Sequence, residues 1–100
     1  MNFSALQKKG LAKFLIGENI DLQKLSIHIS EVEPGNRSHA AHVHTGTEAF
    51  YVFEGQVTVE VEGEPYPLDA NEAMVVDPRR PHGIFNSGST RTRYMVILAQ

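Results

Sequence analysis

The chain is 100 residues long, which is enough for one domain with a single hydrophobic core. Hydrophobic residues make up 41% and charged residues 21%, a composition that is typical of globular proteins and excludes the disordered and membrane-spanning classes. The formal net charge of -3 argues against nucleic acid as a partner, because phosphate binding requires a basic surface. Cysteine is absent, so disulfides and thiolate chemistry are excluded, which agrees with a reducing compartment but does not determine it. By default we expect a cytoplasmic protein with no membrane partner.

Residues 1–17 are predicted to form a short N-terminal arm. They include several lysines, but their apolar residues are too interrupted to form the core of a signal peptide. The segment 3–9 is consistent with a helical turn that starts from Ser4 and ends at Gly10. We expect this arm to pack over the rest of the domain or over a neighbouring subunit.

The remainder of the chain, residues 20–98, predicts a β-domain of about eight short strands. In residues 25–30 apolar side chains alternate with polar ones, which is typical of a half-buried strand, and the Pro-Gly pair at 34–35 ends it. Turn signals recur about every 8 to 12 residues, the usual spacing of an antiparallel sandwich or barrel, and no later stretch has helical periodicity. The other predicted strands are 42–44, 48–53, 56–61, 66–68, 73–76, 82–85 and 91–98.

Three histidines and one glutamate form the strongest candidate site. Side chains two apart in a strand point to the same side, about 7 Å from each other, so His42 and His44 can converge on one point. A break at 45–47 turns the chain so that Glu48 can reach back, and His82 in a later strand is the candidate fourth ligand. Imidazole nitrogens with a carboxylate suit one divalent transition metal (Fe, Mn, Zn, Ni or Cu) better than calcium or magnesium.

These residues resemble the two sequence signatures of the cupin superfamily. The first signature is a His-x-His pair followed by a glutamate and then a glycine. Its matching residues here are His42, His44, Glu48 and Gly55. In the second signature His82 and Asn86 match, whereas the usual glycine, proline and glycine are replaced by Asn71, Asp77 and Arg79. We favour a simpler explanation for Asn86, namely that it is a turn-capping residue ahead of residues 87–89.

The resemblance implies an all-β fold for residues 1–100, the single-domain double-stranded β-helix known as the cupin jelly-roll barrel, with a short N-terminal arm. It also implies one metal ion inside the barrel. The ligands that it implies are His42, His44, Glu48 and His82.

Five further residues are candidates for binding a small-molecule ligand or substrate in the barrel. They are His39, Phe50, Arg79, Arg80 and Ile84. The two arginines precede the last metal ligand and could clamp a carboxylate or phosphate, or lie in an exposed loop. The phenylalanine and the isoleucine are expected in the pocket wall, or more simply in the core. The histidine is a candidate proton shuttle, substrate contact or surface residue, and the same alternatives hold for His28.

These features predict a metal-dependent enzyme of the dioxygenase, isomerase or lyase type that acts on a small oxygen-rich or acidic molecule. Its catalytic residues beyond the ligands are unknown, and the alternative is a non-catalytic binding or sensing cupin with a structural or ligand-orienting metal. A metal-free sugar-binding or epimerase-like cupin is a third alternative, against which the intact ligands argue. Apolar residues on both faces of one strand, including Tyr51 and Phe53, predict that a homodimer covers the outer face.

Overall fold

The structure, a computed structural model, describes residues 11–16, 24–37 and 40–100, and for 11–16 it describes the backbone alone. The strands are β1 (Leu11–Ile16), β2 (Leu25–Val32), β3 (Thr47–Glu54), β4 (Gln56–Val61), β5 (Glu64–Asp69), β6 (Ala73–Val76), β7 (His82–Phe85) and β8 (Thr92–Ala99). They form a five-stranded sheet of order β1-β2-β8-β3-β6 and a three-stranded sheet of order β5-β4-β7. All pairings are antiparallel, so the predicted all-β fold is confirmed. In these residues no helix is long and apolar enough to cross a lipid bilayer.

The predicted strands from 25–30 onward each overlap one of β2 to β8, with one exception. Residues 42–44 do not form a strand. They are joined to β7 only by an isolated bridge between His42 and His82, while a second isolated bridge joins Arg37 to Phe85. The register of pairing shifts between these two bridges, so the segment that runs beside β7 cannot form a continuous ladder.

Strand β1 lies inside the segment that the sequence predicts as an arm. It pairs with β2 over its full length, from Leu11 opposite Val32 to Ile16 opposite Ile27. Its sequence, LAKFLI, has apolar residues on both faces of the strand, so it lacks the alternation of apolar and polar residues that indicates a half-buried strand. The helical turn predicted at 3–9 and the rest of the arm lie outside the described residues.

The hydrophobic core lies between the two sheets, and the described strands β2 to β8 each contribute at least one buried residue to it. Val57 and Val59 on β4 are fully buried and Val61 is nearly so, as the alternation predicts. Burial of one such side chain contributes roughly 1.5–3 kcal/mol relative to full exposure. The five-stranded sheet contributes Val32, Phe50, Val52, Val76 and Tyr94 to the same core.

The turn before β6 contains Asn71, which stands where the cupin signature has a glycine. Its φ angle is 67°, in the left-handed region that glycine enters most readily and that asparagine also tolerates. The N–H of Asn71 donates to the carbonyl of Val52 at 2.7 Å, and its Oδ1 accepts from the Tyr51 hydroxyl at 3.1 Å. Asparagine therefore supplies the turn that the signature obtains from glycine.

Two strands bring the predicted site residues to the space between the sheets. Glu48 is near the start of β3 in the five-stranded sheet, where it pairs with Leu98 and Val76. His82 begins β7 in the three-stranded sheet, opposite Val61. The candidate site is therefore built from both layers of the fold.

Candidate metal centre

The structure brings the four predicted side chains together. One nitrogen or oxygen atom from each of His42, His44, Glu48 and His82 lies within 4.8 Å of the corresponding atoms of the others. The centres of the three imidazole rings are 4.7 to 5.0 Å apart. Donor atoms at this spacing can surround a single ion, because metal–ligand bonds to nitrogen and oxygen are about 2.0–2.2 Å long.

Backbone contacts, and not a continuous strand, position the His-x-His pair. The N–H of His42 donates to the carbonyl of His82 at 3.0 Å, and the carbonyl of His42 accepts from the N–H of His82 at 3.1 Å. The N–H of His44 donates to the carbonyl of Pro78 at 2.8 Å. The pair is therefore fixed against the start of β7, where the third histidine lies.

Glu48 and His82 form the buried part of the cluster, with exposures of 5% and 1%. Glu48 shares the inner face of β3 with Phe50, and an ionised carboxylate at such a place is costly without a compensating partner. Its Oε2 lies 2.7 Å from Nε2 of His44 and 3.1 Å from Nε2 of His82. Two imidazole nitrogens therefore face the same carboxylate oxygen.

In the His44 and His82 rings, the partner of Nδ1 indicates whether Nε2, which faces Glu48, carries a hydrogen or a lone pair. Nδ1 of His82 lies 2.9 Å from the carbonyl oxygen of Arg80, and Nδ1 of His44 lies 3.0 Å from that of Thr45. Because a carbonyl oxygen only accepts, each Nδ1 carries a hydrogen, and in a neutral ring Nε2 then bears a lone pair. Lone pairs that face a carboxylate repel it unless a proton or a cation lies between them. The donor set therefore fits a divalent metal ion, with both rings oriented by their carbonyl partners.

The cluster forms part of the wall of a cavity of about 220 Å³. Phe50 and Ile84, the two apolar residues predicted for the pocket wall, both line this cavity. Tyr94, Val96 and Leu98 of β8 also line the cavity and add to its apolar surface. Sites for drug-sized molecules are typically about 300–1,000 Å³, so this cavity suits a smaller compound.

The two arginines predicted near the cavity do not line it. The Arg79 side chain donates to Asp77 at 3.0 Å and that of Arg80 donates to Glu62 at 2.8 Å, all at the surface. The hydrogen bond from Arg79 lowers the pKa of the Asp77 carboxyl, and the hydrogen bond from Arg80 lowers the pKa of the Glu62 carboxyl. Both arginines are thus in surface ion pairs in this structure, and His39 lies outside the described residues.

His28 and Ser30 line the cavity as well, on the inner face of β2. The alternation of residues 25–30 predicts which side chains share a face but not which face is inside. The neighbouring Ile29 is buried but is not part of the core between the sheets. The polar side chains of this strand therefore face inward. The sequence signal for them was His28, which has one serine two residues before it and another two residues after it.

Gly46 forms the turn between His44 and Glu48. Its φ angle is 101°, and a β-carbon at this position would lie 2.5 Å from the carbonyl oxygen of Ala99. Gly46→Ala is therefore expected to destabilise the fold by roughly 1–3 kcal/mol and to weaken metal binding by displacing the turn. Thermal unfolding with and without added zinc measures both effects.

The matched control is Gly63→Ala. Gly63 also has a positive φ angle, 82°, but a β-carbon there meets nothing within 4 Å. This variant should lose less stability than Gly46→Ala and should bind metal as the wild type does. Equal losses in the two variants would contradict the steric explanation.

Comparison with known proteins identifies related sequences. Residues 28–98 match the family model described as Cupin domain (Cupin_2). The chain is 32% identical over 69 residues to a polyketide synthase, CurC, of Streptomyces cyaneus, and the match covers 68% of this chain and 44% of that protein. The chain therefore spans less than half the length of this curated relative.

Solved structures share the fold. The Cupin_2 domain of an XRE family transcriptional regulator from Enterobacter cloacae has a TM-score of 0.80 at 17% identity, over 92% of this chain and 98% of that one. A protein from Acidithiobacillus ferrooxidans, provisionally named a sugar phosphate isomerase, has a TM-score of 0.71 at 26% identity, over 91% of this chain and 61% of that one. The predicted jelly-roll barrel is confirmed by these similarities. Because the family match covers most of its length, the chain belongs to the cupin family.

Proposed function

We propose that the protein binds one divalent transition metal and acts on a small oxygen-rich or acidic molecule in the adjoining cavity. The observation that carries this proposal is the convergence of three imidazoles and one carboxylate on one point in the wall of a mostly apolar cavity. Iron, manganese, zinc, nickel and copper all accept this donor set. The proposed ligands are His42, His44, Glu48 and His82.

Each part of the site has its own role in this proposal. A bound metal would supply a Lewis acid and a template for substrate oxygens. The carbonyl of Arg80 holds the His82 ring in one orientation, so its Nε2 stays directed at the cluster. Phe50 and Ile84 are buried apolar side chains in the cavity wall, and such a wall would strengthen electrostatic interactions between the metal and a bound molecule.

Among the three predicted reaction types, an isomerase-type reaction has the most support. The relative from Acidithiobacillus ferrooxidans, at 26% identity, is provisionally named a sugar phosphate isomerase. A cavity of about 220 Å³ also suits a compound of a few carbon atoms. Dioxygenase and lyase reactions use similar donor sets, and the redox behaviour of the metal separates the dioxygenase from the other two.

The second candidate function is a non-catalytic cupin that binds or senses a small molecule. It is favoured by the cavity wall, which is mainly apolar beyond the cluster in the described part of the chain. His28 is the one further imidazole among those lining residues, so few groups are available there as general acid or base. In this function the metal would orient the ligand.

Elemental analysis of the purified, untagged protein, with spectra recorded in air and under nitrogen, tests the proposal. We expect about one metal equivalent per chain. A metal whose spectrum changes in air supports a dioxygenase, whereas an inert metal together with solvent deuterium incorporation into small aldoses or ketoses supports an isomerase. Bound metal without turnover supports the binding function, and no metal after reconstitution would overturn the proposal.

We also propose that the outer face of the five-stranded sheet forms a homodimer interface. Tyr51 and Phe53 contact each other there with ring centres 5.2 Å apart, and Phe53 is 37% exposed. Val75 on the adjacent β6 is 67% exposed. Neighbouring exposed apolar side chains are typical of protein–protein contacts. Equilibrium sedimentation at micromolar concentration should show a dimer, and a clean monomer would rule this interface out.

A further inference from the structure

The turn between β6 and β7, residues 77–81, contacts two of the four proposed ligands through its backbone. The carbonyl of Pro78 accepts a hydrogen bond from the N–H of His44 at 2.8 Å. The carbonyl of Arg80 accepts one from Nδ1 of His82 at 2.9 Å. The position of this turn therefore determines where the backbone of one ligand lies and how the ring of another is oriented.

A second turn, which joins β4 to β5, lies against the first one. Val61 near the end of β4 pairs with His82 at the start of β7, so the two turns are neighbours. The N–H of Glu62 donates to the carbonyl of Pro81 at 2.8 Å. In addition, Nη2 of Arg80 donates to Oε2 of Glu62, also at 2.8 Å. One backbone hydrogen bond and one ion pair therefore connect the two turns.

Glutamate is an unusual residue at this point of the β4–β5 turn. The two strands pair as far as Val61 and Glu64, so the turn between them has only two residues. These residues, Glu62 and Gly63, have φ angles of 51° and 82°, as in a type I′ turn, where asparagine followed by glycine is preferred. A glutamate with a positive φ angle is uncommon and carries a conformational cost. Asparagine would suit the turn better, but it could not form the ion pair with Arg80.

We propose that the ion pair between Glu62 and Arg80 positions the metal centre by holding the 77–81 turn in place. The two side chains are 50% and 54% exposed and do not belong to the cluster, so they act through the turn and not as ligands. Exposed ion pairs are weak interactions, and the expected effect on metal affinity is correspondingly modest. The inference rests on the proposed function, because it takes the cluster to bind a metal ion.

Arg79 provides the matched control because it lies in the same turn and carries the same charge. Its side chain donates to Asp77 at 3.0 Å, and Asp77 belongs to this turn as well. An ion pair within one turn cannot connect that turn to another part of the fold. Arg79→Gln should therefore not weaken metal binding.

Zinc affinity, measured by competition with a chromogenic chelator, tests the inference. Glu62→Asn and Arg80→Gln should each weaken zinc binding by about threefold. The two substitutions change the net charge in opposite directions, so a general effect of charge on the ion would shift the two affinities in opposite directions. The double variant should bind zinc no more weakly than the weaker single variant, because both substitutions remove the same interaction.

Thermal unfolding of the metal-free proteins separates positioning from a merely structural role. Asparagine tolerates the φ angle of residue 62 better than glutamate does, so metal-free Glu62→Asn should be at least as stable as the metal-free wild type while it binds zinc less tightly. A lower stability of this metal-free variant overturns the inference. Wild-type zinc affinity in both single variants, or opposite shifts in the two, also overturns it. Failure of the wild type to bind zinc overturns the proposed function as well, and this result is distinguishable because it appears without any substitution.

Discussion

Replacing His82 by alanine is expected to weaken metal binding by roughly 100-fold or more, since it removes one donor of four and loosens the others. The side chain is 1% exposed and its Nε2 lies 3.1 Å from Oε2 of Glu48, so alanine leaves this buried carboxylate without one of its partners. Elemental analysis and competition with a chromogenic chelator measure the loss. His28→Leu is the matched control because it removes a histidine from the same cavity but outside the cluster, and it should keep its metal.

Glu48→Gln removes the negative charge of this side chain while keeping nearly the same shape. When the rings are neutral and no metal is bound, two imidazole lone pairs face the carboxylate of the wild type, whereas a glutamine amide can donate a hydrogen to one of them. We therefore expect the metal-free variant to be at least as stable as the metal-free wild type, while the rise in unfolding temperature on adding metal is lost. The donor assignment would be contradicted if His82→Ala kept its full metal content. It would also be contradicted if metal-free Glu48→Gln were less stable than the metal-free wild type.

Asn86→Ala is expected to lower the free energy of unfolding by roughly 2–4 kcal/mol. The Asn86 side chain is fully buried, and its Nδ2 donates to the carbonyls of Val32 and Thr90, both at 2.8 Å. Its Oδ1 accepts from the N–H of Gly88 at 2.9 Å. The alternative that the sequence offered for this residue, a turn cap, is thus confirmed, and removal of the amide leaves three backbone groups without this partner.

Urea unfolding of Asn86→Ala and Asn86→Asp measures this effect. Aspartate keeps the acceptor but loses the two donated hydrogen bonds, so most of the loss should remain. Asn36→Ala, at an exposed position, is the control and should change stability by less than about 0.5 kcal/mol. A loss of that small size in the Asn86 variants would show that the turn does not depend on this side chain.

The grouping of the candidate ligands could be predicted because most of it is encoded locally. His42, His44 and Glu48 lie in one short segment, and Gly46 allows the turn that folds the glutamate back. The predicted strand at 42–44 is replaced by a single bridge, yet the side chains still converge. His82 is distant in sequence, and it was included because it lies in a strand-like segment that a barrel can bring close and because it matches the second signature of the family. Strand β4 was predicted at its observed bounds, because valine alternates with polar residues there.

Other features depend on contacts that a local pattern does not contain. Alternation in β2 defines two faces, but the packing of the two sheets decides that the face with His28 is inside. Arg80 directly precedes the segment that leads to His82 and was predicted near the cavity. It instead donates to Glu62, a residue 18 positions earlier that only the packing of turns brings close. For the same reason the sequence could not separate a substrate clamp from a surface ion pair.

The location of the candidate site between the layers has a consequence for how the barrel opens. Glu48 belongs to the five-stranded sheet and His82 to the three-stranded sheet, and the segment with His42 and His44 runs between them. In a chain without cysteine, an ion bound at this point is a cross-link between the two layers. Separation of the layers and release of the ion are then one event. Protease resistance and slow amide exchange in both sheets should therefore rise together as free metal increases.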